Sequence, residues 1–595
     1  MYLQVILPLK LNWAPTYKAD AQIFRGQRVR VIFARKEYVG VVSRTDVQPD
    51  LDPAKILSII SVEERLPVIS EAELRLWEFI AGYYLCSIGE VYKAAYPSMK
   101  LHSEEVVAAT EARKEASRLR KLEVMQARVS RLEIRLKAKE AAIIEKKEGT
   151  KVRAELEAAR EKTVLELDAA KKAVEAFLAQ DESEDAPIIE KAPKPVPGKP
   201  MLLQGNMQSR AAEYSQIITE TLGRGGQVLV LTPEKALCSA LAGKLDGSIP
   251  VMLCNSDCTA AQRRKVADAL RSGSPAAVLG NRSCIFLPFS NLQLIIIDEE
   301  QDSSYKQTEP APRYNGRDCA LALGSIHSAQ VVLGSASPSL ETELNVIGGK
   351  FTRRTLDAMT VAPEAFYDVD EDLPLEIIDI PAERRKRGMV DALSRKLIGR
   401  VNRCKGTAVF IRGWENAEEI QAQCNELFGS GKVKVMSLPE LKRSAPSDIE
   451  LLAVLQADAF LSKDDFRSDE KALQLVAMLQ NFSAEVVIQT AVSDRFRGSR
   501  SMQELLKERK DFSLPPYSRA VEVILQDNDE VRKQRMLRIL SGACPAPIVM
   551  PDRIRWNLPR GTKLQGSKSA IAAAVAGLES KEKYIGHIII DVDPA

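Results

Sequence analysis

Seven short apolar runs, separated by stretches with helical periodicity, constrain this chain more than any other feature. They read MLLQG from Met201, QVLVLTP from Gln227, AAVLG from Ala276, LQLIIID from Leu292, QVVLGSAS from Gln330, GTAVFIR from Gly406 and EVVIQT from Glu485. Runs this short and this uniformly apolar read as strands buried on both faces, not as half-exposed antiparallel strands. Buried strands that alternate with helices imply doubly wound parallel α/β sheets. The pattern extends from Met201 to about Arg500, too far for a single core, and is read as two lobes.

Residues 1–100 have a different texture. RVRVIF and GVVS read as short strands and EAELRLWEFIAGYY as a helix, a small β-rich domain. Between Pro97 and Pro187 there is no proline, Gly149 is the one glycine and Phe177 the one aromatic residue. Leu122, Met125, Val129, Leu132 and Leu136 recur at three- and four-residue steps, and Val152, Leu156, Ala159 and Thr163 do the same. Each set draws one apolar seam along a helix. Gly149-Thr150 would turn the run into an antiparallel coiled-coil hairpin over 101–180; the alternative is one long solvated helix. A seam needs a partner helix, within the chain or from another, so residues 103–180 are also a candidate for self-association or partner binding. The acidic, then proline-rich stretch 181–200 reads as a linker. The remaining boundaries are 201–350 and 351–512 for the two lobes and 513–595 for a C-terminal α+β domain.

The 84 Lys and Arg against 81 Asp and Glu leave a net charge of +3, which neither demands nor excludes nucleic acid. Nine cysteines include no C-x-x-C pair, and only Cys254 and Cys258 lie close, so no zinc is expected. MYLQVILPLKL lacks the basic start and cleavage site of a secretory leader, and no apolar run reaches membrane-spanning length. A cytoplasmic protein without a membrane partner is the expectation.

The order of landmarks is specific. LLQG precedes VLVLTPEKAL, then AAVLGNRSCIFLPFSNLQLIIIDEEQDSSYKQ, RYNGRD, VVLGSASPSLET, ADAFLSKDDFRSDEKALQL, LPPYSRA and a terminal IIIDVDP. Together these resemble primosomal protein N′, a superfamily 2 DNA helicase of replication restart, with RLWEFIAGYYLCSIGEVYKAAYP resembling its domain for the 3′ end of DNA. The resemblance covers roughly 1–100, 201–350 and 450–595. It implies two RecA-like lobes, contact with forked or single-stranded DNA and assembly with other replication proteins.

The resemblance also exposes what is missing. A P-loop, G-x-x-x-x-G-K-[ST], uses glycines to bring backbone N–H groups to the phosphates, a lysine to neutralise them and a hydroxyl to hold magnesium. Here the segment reads Gly205-Asn206-Met207-Gln208-Ser209-Arg210-Ala211-Ala212. Arg210 stands at the second glycine, Ala211 at the lysine and Ala212 at the hydroxyl. Gln301 replaces the family's histidine after Asp298 and Glu299, and Phe482 falls near the first of two expected finger arginines. The metal domain expected near FIRGWENAEEIQ has no paired cysteines, and the helical segment stands where the family carries a winged helix. No catalytic residue is therefore assigned. Asp298 and Glu299 read as vestigial, Gly205, Arg210, Ala211 and Ala212 as a vestigial nucleotide pocket. No cofactor is expected, with ATP and magnesium required only if an active helicase uses unconventional phosphate contacts such as Arg210.

Candidate DNA contacts are Arg282, Tyr305, Lys306, Arg313, Tyr314 and Arg317, which combine cations with aromatic faces near the strand-contacting and aromatic-rich motifs of the family. In the N-terminal domain Tyr17 and Lys55 persist, although the family's F-D-Y is Pro15-Thr16-Tyr17 and a pocket glycine is Ala34. The basic run Arg384–Arg387 reads as a solvated loop or a phosphate contact. Three functions stay open at this point: a non-catalytic DNA- or partner-binding pseudo-helicase, an active 3′–5′ helicase, and a coiled-coil adaptor without DNA.

Overall fold

The computed structural model describes residues 1–49, 52–97, 104–144, 151–179, 196–255, 257–356, 374–444, 449–461, 466–496, 501–580, 582, 584 and 586–594. The chain forms two compact units, Met1–Pro97 with Lys191–Ala595 and, separately, Ser98–Glu190.

Within the larger unit, seven parallel strands form the first α/β sheet. Their spatial order is Thr352–Thr355, Met201–Gln204, Gln330–Ser335, Leu292–Asp298, Gln227–Leu231, Ala276–Gly280 and Val251–Cys254. All residues of the Gln227–Leu231, Ala276–Gly280 and Leu292–Asp298 strands are buried, as strands covered by helices on both faces require. The sheet takes in Thr352–Thr355, beyond the 350 boundary read from sequence. Its order sets the carboxyl ends of the Met201, Gln330 and Leu292 strands side by side, the edge at which open α/β sheets carry their sites.

The second sheet is again parallel, in the order Leu375–Asp379, Val486–Thr490, Ile449–Val454, Thr407–Ile411 and Val433–Met436. The N-terminal part is a five-stranded antiparallel sheet followed by helices Glu71–Tyr84 and Ile88–Ala95. Each helix starts in a capping box, Ser70 with Glu73 and Ser87 with Glu90, which satisfies backbone N–H groups the first turn leaves unpaired. A four-stranded antiparallel sheet with helices Glu530–Ser541 and Leu564–Ser580 closes the chain.

Charged side chains tie these parts together. Arg467 of the second lobe meets Glu341 of the first at 2.9 Å, and Lys442 meets Asp302 at 2.8 Å. Lys306 reaches Asp591 and the carbonyl of Val592, both at 2.6 Å, which joins the first lobe to the final strand.

The smaller unit contains the helices Glu104–Ile144 and Lys151–Ala179. Leu132, Leu167 and Ala170 pack together, with Val129 and Leu136 against them. Lys139 donates to the carbonyl of Ala159 and to Thr163 Oγ1, both at 2.7 Å, and Lys171 pairs with Glu133 at 2.8 Å. Partners fall in number on one helix as they rise on the other, so the helices run antiparallel and close the seam within the chain. The Gly149-Thr150 turn and the linker up to residue 195 lie outside the described residues.

Candidate functional site

Gly205 ends the Met201 strand and donates its N–H to the carbonyl of Ser335 at 3.1 Å. Asn206 then caps the helix Met207–Gly223, its side chain accepting from the N–H of Ser209. The helix begins at once, and its first turn decides which side chain enters the pocket. Ala211 turns into the hydrophobic core beside Leu203, Val230 and Ile296. Ala212 is exposed. Arg210 is the residue delivered to the carboxylates.

Arg210 is wholly buried, and all three of its nitrogens are engaged. Nε donates to Asp298 Oδ1 at 2.9 Å, Nη1 to the carbonyl of Gly205 at 2.7 Å, and Nη2 to Glu299 Oε1. Tyr214, one turn on, donates its hydroxyl to the same Asp298 oxygen at 2.8 Å. Gln301 donates to the other Glu299 oxygen at 2.6 Å and accepts from Ser335 Oγ at 2.7 Å. Glu299 itself sits at φ 50°, a left-handed backbone that non-glycine residues take at a cost. The Tyr305 hydroxyl lies within 2.9 Å of the carbonyls of Leu231 and Asp298.

The electrostatics follow from burial and pairing. Burial alone would weaken the charge on Arg210, but the carboxylates of Asp298 and Glu299 hold its pKa well above the usual value. Burial pushes Asp298 above the ordinary carboxylate range, opposed by Arg210 and by the Tyr214 hydrogen bond. Its second oxygen, Oδ2, has no hydrogen-bond partner. Burial and Asp298 drive Tyr214 far upward, so it stays a neutral donor. Gly334 leaves room for this arrangement: a Cβ there would fall 1.6 Å from the Tyr214 hydroxyl oxygen and 2.9 Å from Asp298 Oδ1.

The carboxylates of Asp298 and Glu299 share the Arg210 guanidinium as their cation, and Ala211, at the P-loop lysine position, lies in the core. Among the described residues no three His, Cys, Asp or Glu side chains are grouped to hold a metal. Phe482 packs against the core of the second lobe.

The residues singled out for DNA are distributed unevenly. Tyr305, Lys306 and Tyr314 are buried. Lys306 also donates to the carbonyl of Arg313 at 2.8 Å, and Tyr314 packs edge-on against Phe286. Arg317 pairs with Glu300 at 3.1 Å and Asp318 at 3.0 Å and reaches Ser339 Oγ. Their polar atoms are engaged within the chain. Arg282 donates to the carbonyl of Ser304 at 2.6 Å while partly exposed, and Arg313 lies 3.6 Å from Glu309. Tyr17 is buried with its hydroxyl on the carbonyl of Ile32, whereas Lys55 is exposed. Tyr214 and Gly334 were not singled out from sequence. The glycine in VVLGSAS, on the strand beside IIID, was the one visible signal for them.

The family profile of the PriA 3′DNA-binding domain (3′BD) matches residues 4–97. Curated relatives named Replication restart protein PriA match beyond it. That of Rickettsia felis is 26% identical over 66% of this chain and 74% of its own length. The chain is PriA-like. The Rickettsia prowazekii protein is 31% identical over 49% of this PriA-like chain and 50% of its own length. That of Haemophilus influenzae is 44% identical over 26% of the chain and 22% of its own. The chain thus spans about half the length of the R. prowazekii and R. conorii relatives, 50% of each. Among solved structures, RecG bound to a three-way DNA junction aligns over 54% of this chain and 42% of its own at TM-score 0.30 and 14% identity. The DUF1998 helicase MrfA bound to DNA aligns over 67% of this chain and 63% of its own at TM-score 0.33 and 13% identity. The fold assignment rests on the sheet order and not on these likenesses. No helix among the described residues is long and apolar enough to cross a membrane.

Proposed function

We propose that this PriA-like chain acts in DNA replication restart as a non-catalytic DNA-binding component, its helicase lobes serving as a scaffold and not as a motor. One observation carries the reading: Arg210 is buried between Asp298 and Glu299. Phosphoryl transfer depends on a phosphate cradle that sets the leaving group in line with the nucleophile and on a magnesium ion that neutralises the phosphate oxygens. Removal of one preorganised charge donor alone lowers such rates by about 10²–10³. Here the cradle, lysine, hydroxyl and finger arginines are all replaced, and the carboxylates already have a counter-ion.

The match of the N-terminal domain to a 3′DNA-binding domain supports contact with forked or single-stranded DNA. Replication proteins are its natural partners under this reading, in the cytoplasm where replication takes place. The hairpin 103–180 takes the place of a DNA-reading winged helix with a charged helical surface suited to protein contact.

The test is ATP turnover on forked DNA, beside a variant carrying Arg210→Gly, Ala211→Lys and Ala212→Thr. The parent is expected to show no DNA-stimulated hydrolysis and no calorimetric binding of a magnesium-ATP analogue. DNA-stimulated hydrolysis by the parent, abolished by Asp298→Asn, overturns the proposal in favour of an active helicase.

A further inference from the structure

The chain has four tryptophans, and they divide sharply. Trp77 and Trp556 are wholly buried, whereas Trp13 and Trp414 are 57% and 66% exposed. A large aromatic surface left open on a folded domain is the unusual case. Trp13 is also held in place: its ring lies 6.1 Å from that of Phe33, tilted by 60°, and Phe33 rests on the N-terminal core.

The backbone next to this pair is equally specific. Phe33 pairs with Lys36 across a two-residue hairpin turn, and both turn residues, Ala34 at φ 48° and Arg35 at φ 64°, take the left-handed conformation. Such turns normally use asparagine and glycine. Here two side chains that strain the turn present Arg35 and Lys36 to solvent beside the aromatic pair. Trp13 also lines a groove of roughly 1200 Å³, together with Lys93, Glu90, and Ser283 and Gln307 of the first lobe.

We propose that Trp13, braced by Phe33 and flanked by Arg35 and Lys36, is a stacking platform for an unpaired base of single-stranded DNA, indifferent to the chemistry of the strand's end. The inference rests on the DNA-binding reading above and adds the residue and the mode of recognition. An exposed indole offers a π-face to any base, while adjacent cations suit the phosphates on either side. The segment Trp13–Tyr17 carries no carboxylate to read a terminal hydroxyl. Pro15 and Thr16 precede Tyr17, and the Tyr17 hydroxyl is occupied by the carbonyl of Ile32. A protein partner could also take an exposed tryptophan, but the paired cations favour a polyanion.

The experiment uses the full chain with Trp414→Phe, which leaves Trp13 as the only exposed indole. Titration with a ten-nucleotide single strand is expected to quench its fluorescence, equally for a free and a phosphorylated 3′ end. Trp13→Ala should weaken binding about 5- to 150-fold and Trp13→Phe by no more than about threefold. Arg35→Ala should reduce the slope of log affinity against log salt by about 0.7. Undiminished affinity of Trp13→Ala, with the parent binding DNA, overturns this inference alone and makes Trp13 a protein contact. A marked preference for the free 3′ hydroxyl overturns the stacking mode. Failure of the parent to bind DNA overturns both this inference and the functional reading beneath it.

Discussion

Arg210→Met is the most informative single change. Methionine keeps much of the buried aliphatic stem but removes the one cation that, among the described residues, is bonded to Asp298 and Glu299, which are 1% and 6% exposed. Deletion of one partner from a buried pair leaves an uncompensated charge and destabilises by about 3–5 kcal/mol. Against a total stability of roughly 5–15 kcal/mol, that is a large share. A multidomain chain does not unfold in one step, so the measurement should be local. Hydrogen exchange in the Met207–Gly223 helix and the Leu292–Asp298 strand should accelerate about 150- to 5000-fold at pH 8, the equivalent of that loss. The pH dependence supplies the sign. Without Arg210, burial and the neighbouring Glu299 raise the Asp298 carboxyl still further above the unfolded value of about 3.9. Between those values the folded variant binds a proton that the unfolded chain releases, so its stability grows as pH falls. The gap between variant and parent should therefore narrow from pH 8 to pH 5. Adding Asp298→Asn should recover about half of the loss or more. A loss below about 1 kcal/mol at pH 8, or an equal loss at both pH values, would refute the argument that Arg210 is the obligatory counter-ion of the pocket.

Gly334→Ala should destabilise the first lobe by about 1–3 kcal/mol through overpacking against Tyr214, and Tyr214→Phe should relieve more than half of it, both read by thermal denaturation. Lys568 is buried with its ammonium on the carbonyl and ring of Tyr83, and burial pushes its pKa down to about 8, with Arg519 adding to the effect and Asp593 opposing it. Between about pH 8 and the unfolded value near 10.4 the folded chain holds fewer protons than the unfolded one, so protection of the Leu564–Ser580 helix should rise with pH across that window and stay flat in Lys568→Met.

The sheets were legible because VLVL and LIIID admit few other readings, and the apolar seam of each long helix was written in its three- and four-residue steps. What covers those seams was not, since the steps place Leu132 on a helix face but do not pair it with Leu167. The pocket was half visible. A cation at 210 can be read from a string of letters, but whether it faces phosphate, solvent or Asp298 depends on where a helix starts relative to Gly205. Lys306 misled for a different reason. It sits in a polar loop, yet its partner Val592 lies 286 residues away, and a contact that distant leaves no local trace. Tyr305 likewise resembles a surface aromatic until the carbonyls of Leu231 and Asp298 are seen to take its hydroxyl.

Arg210, Tyr214, Asp298 and Gly334 interlock, so that building a P-loop at this place would cost stability. A lysine at 211 would thrust an ammonium into the core between Leu203 and Val230. A glycine at 210 would strand two carboxylates, and a larger residue at 334 would strike the Tyr214 hydroxyl. The steps at 210 and 211 toward an ATP-binding loop are thus each less stable than the present sequence, and only several changes made together could cross that valley. On the scaffold reading proposed above, selection acting one substitution at a time would keep the chain from regaining such a loop.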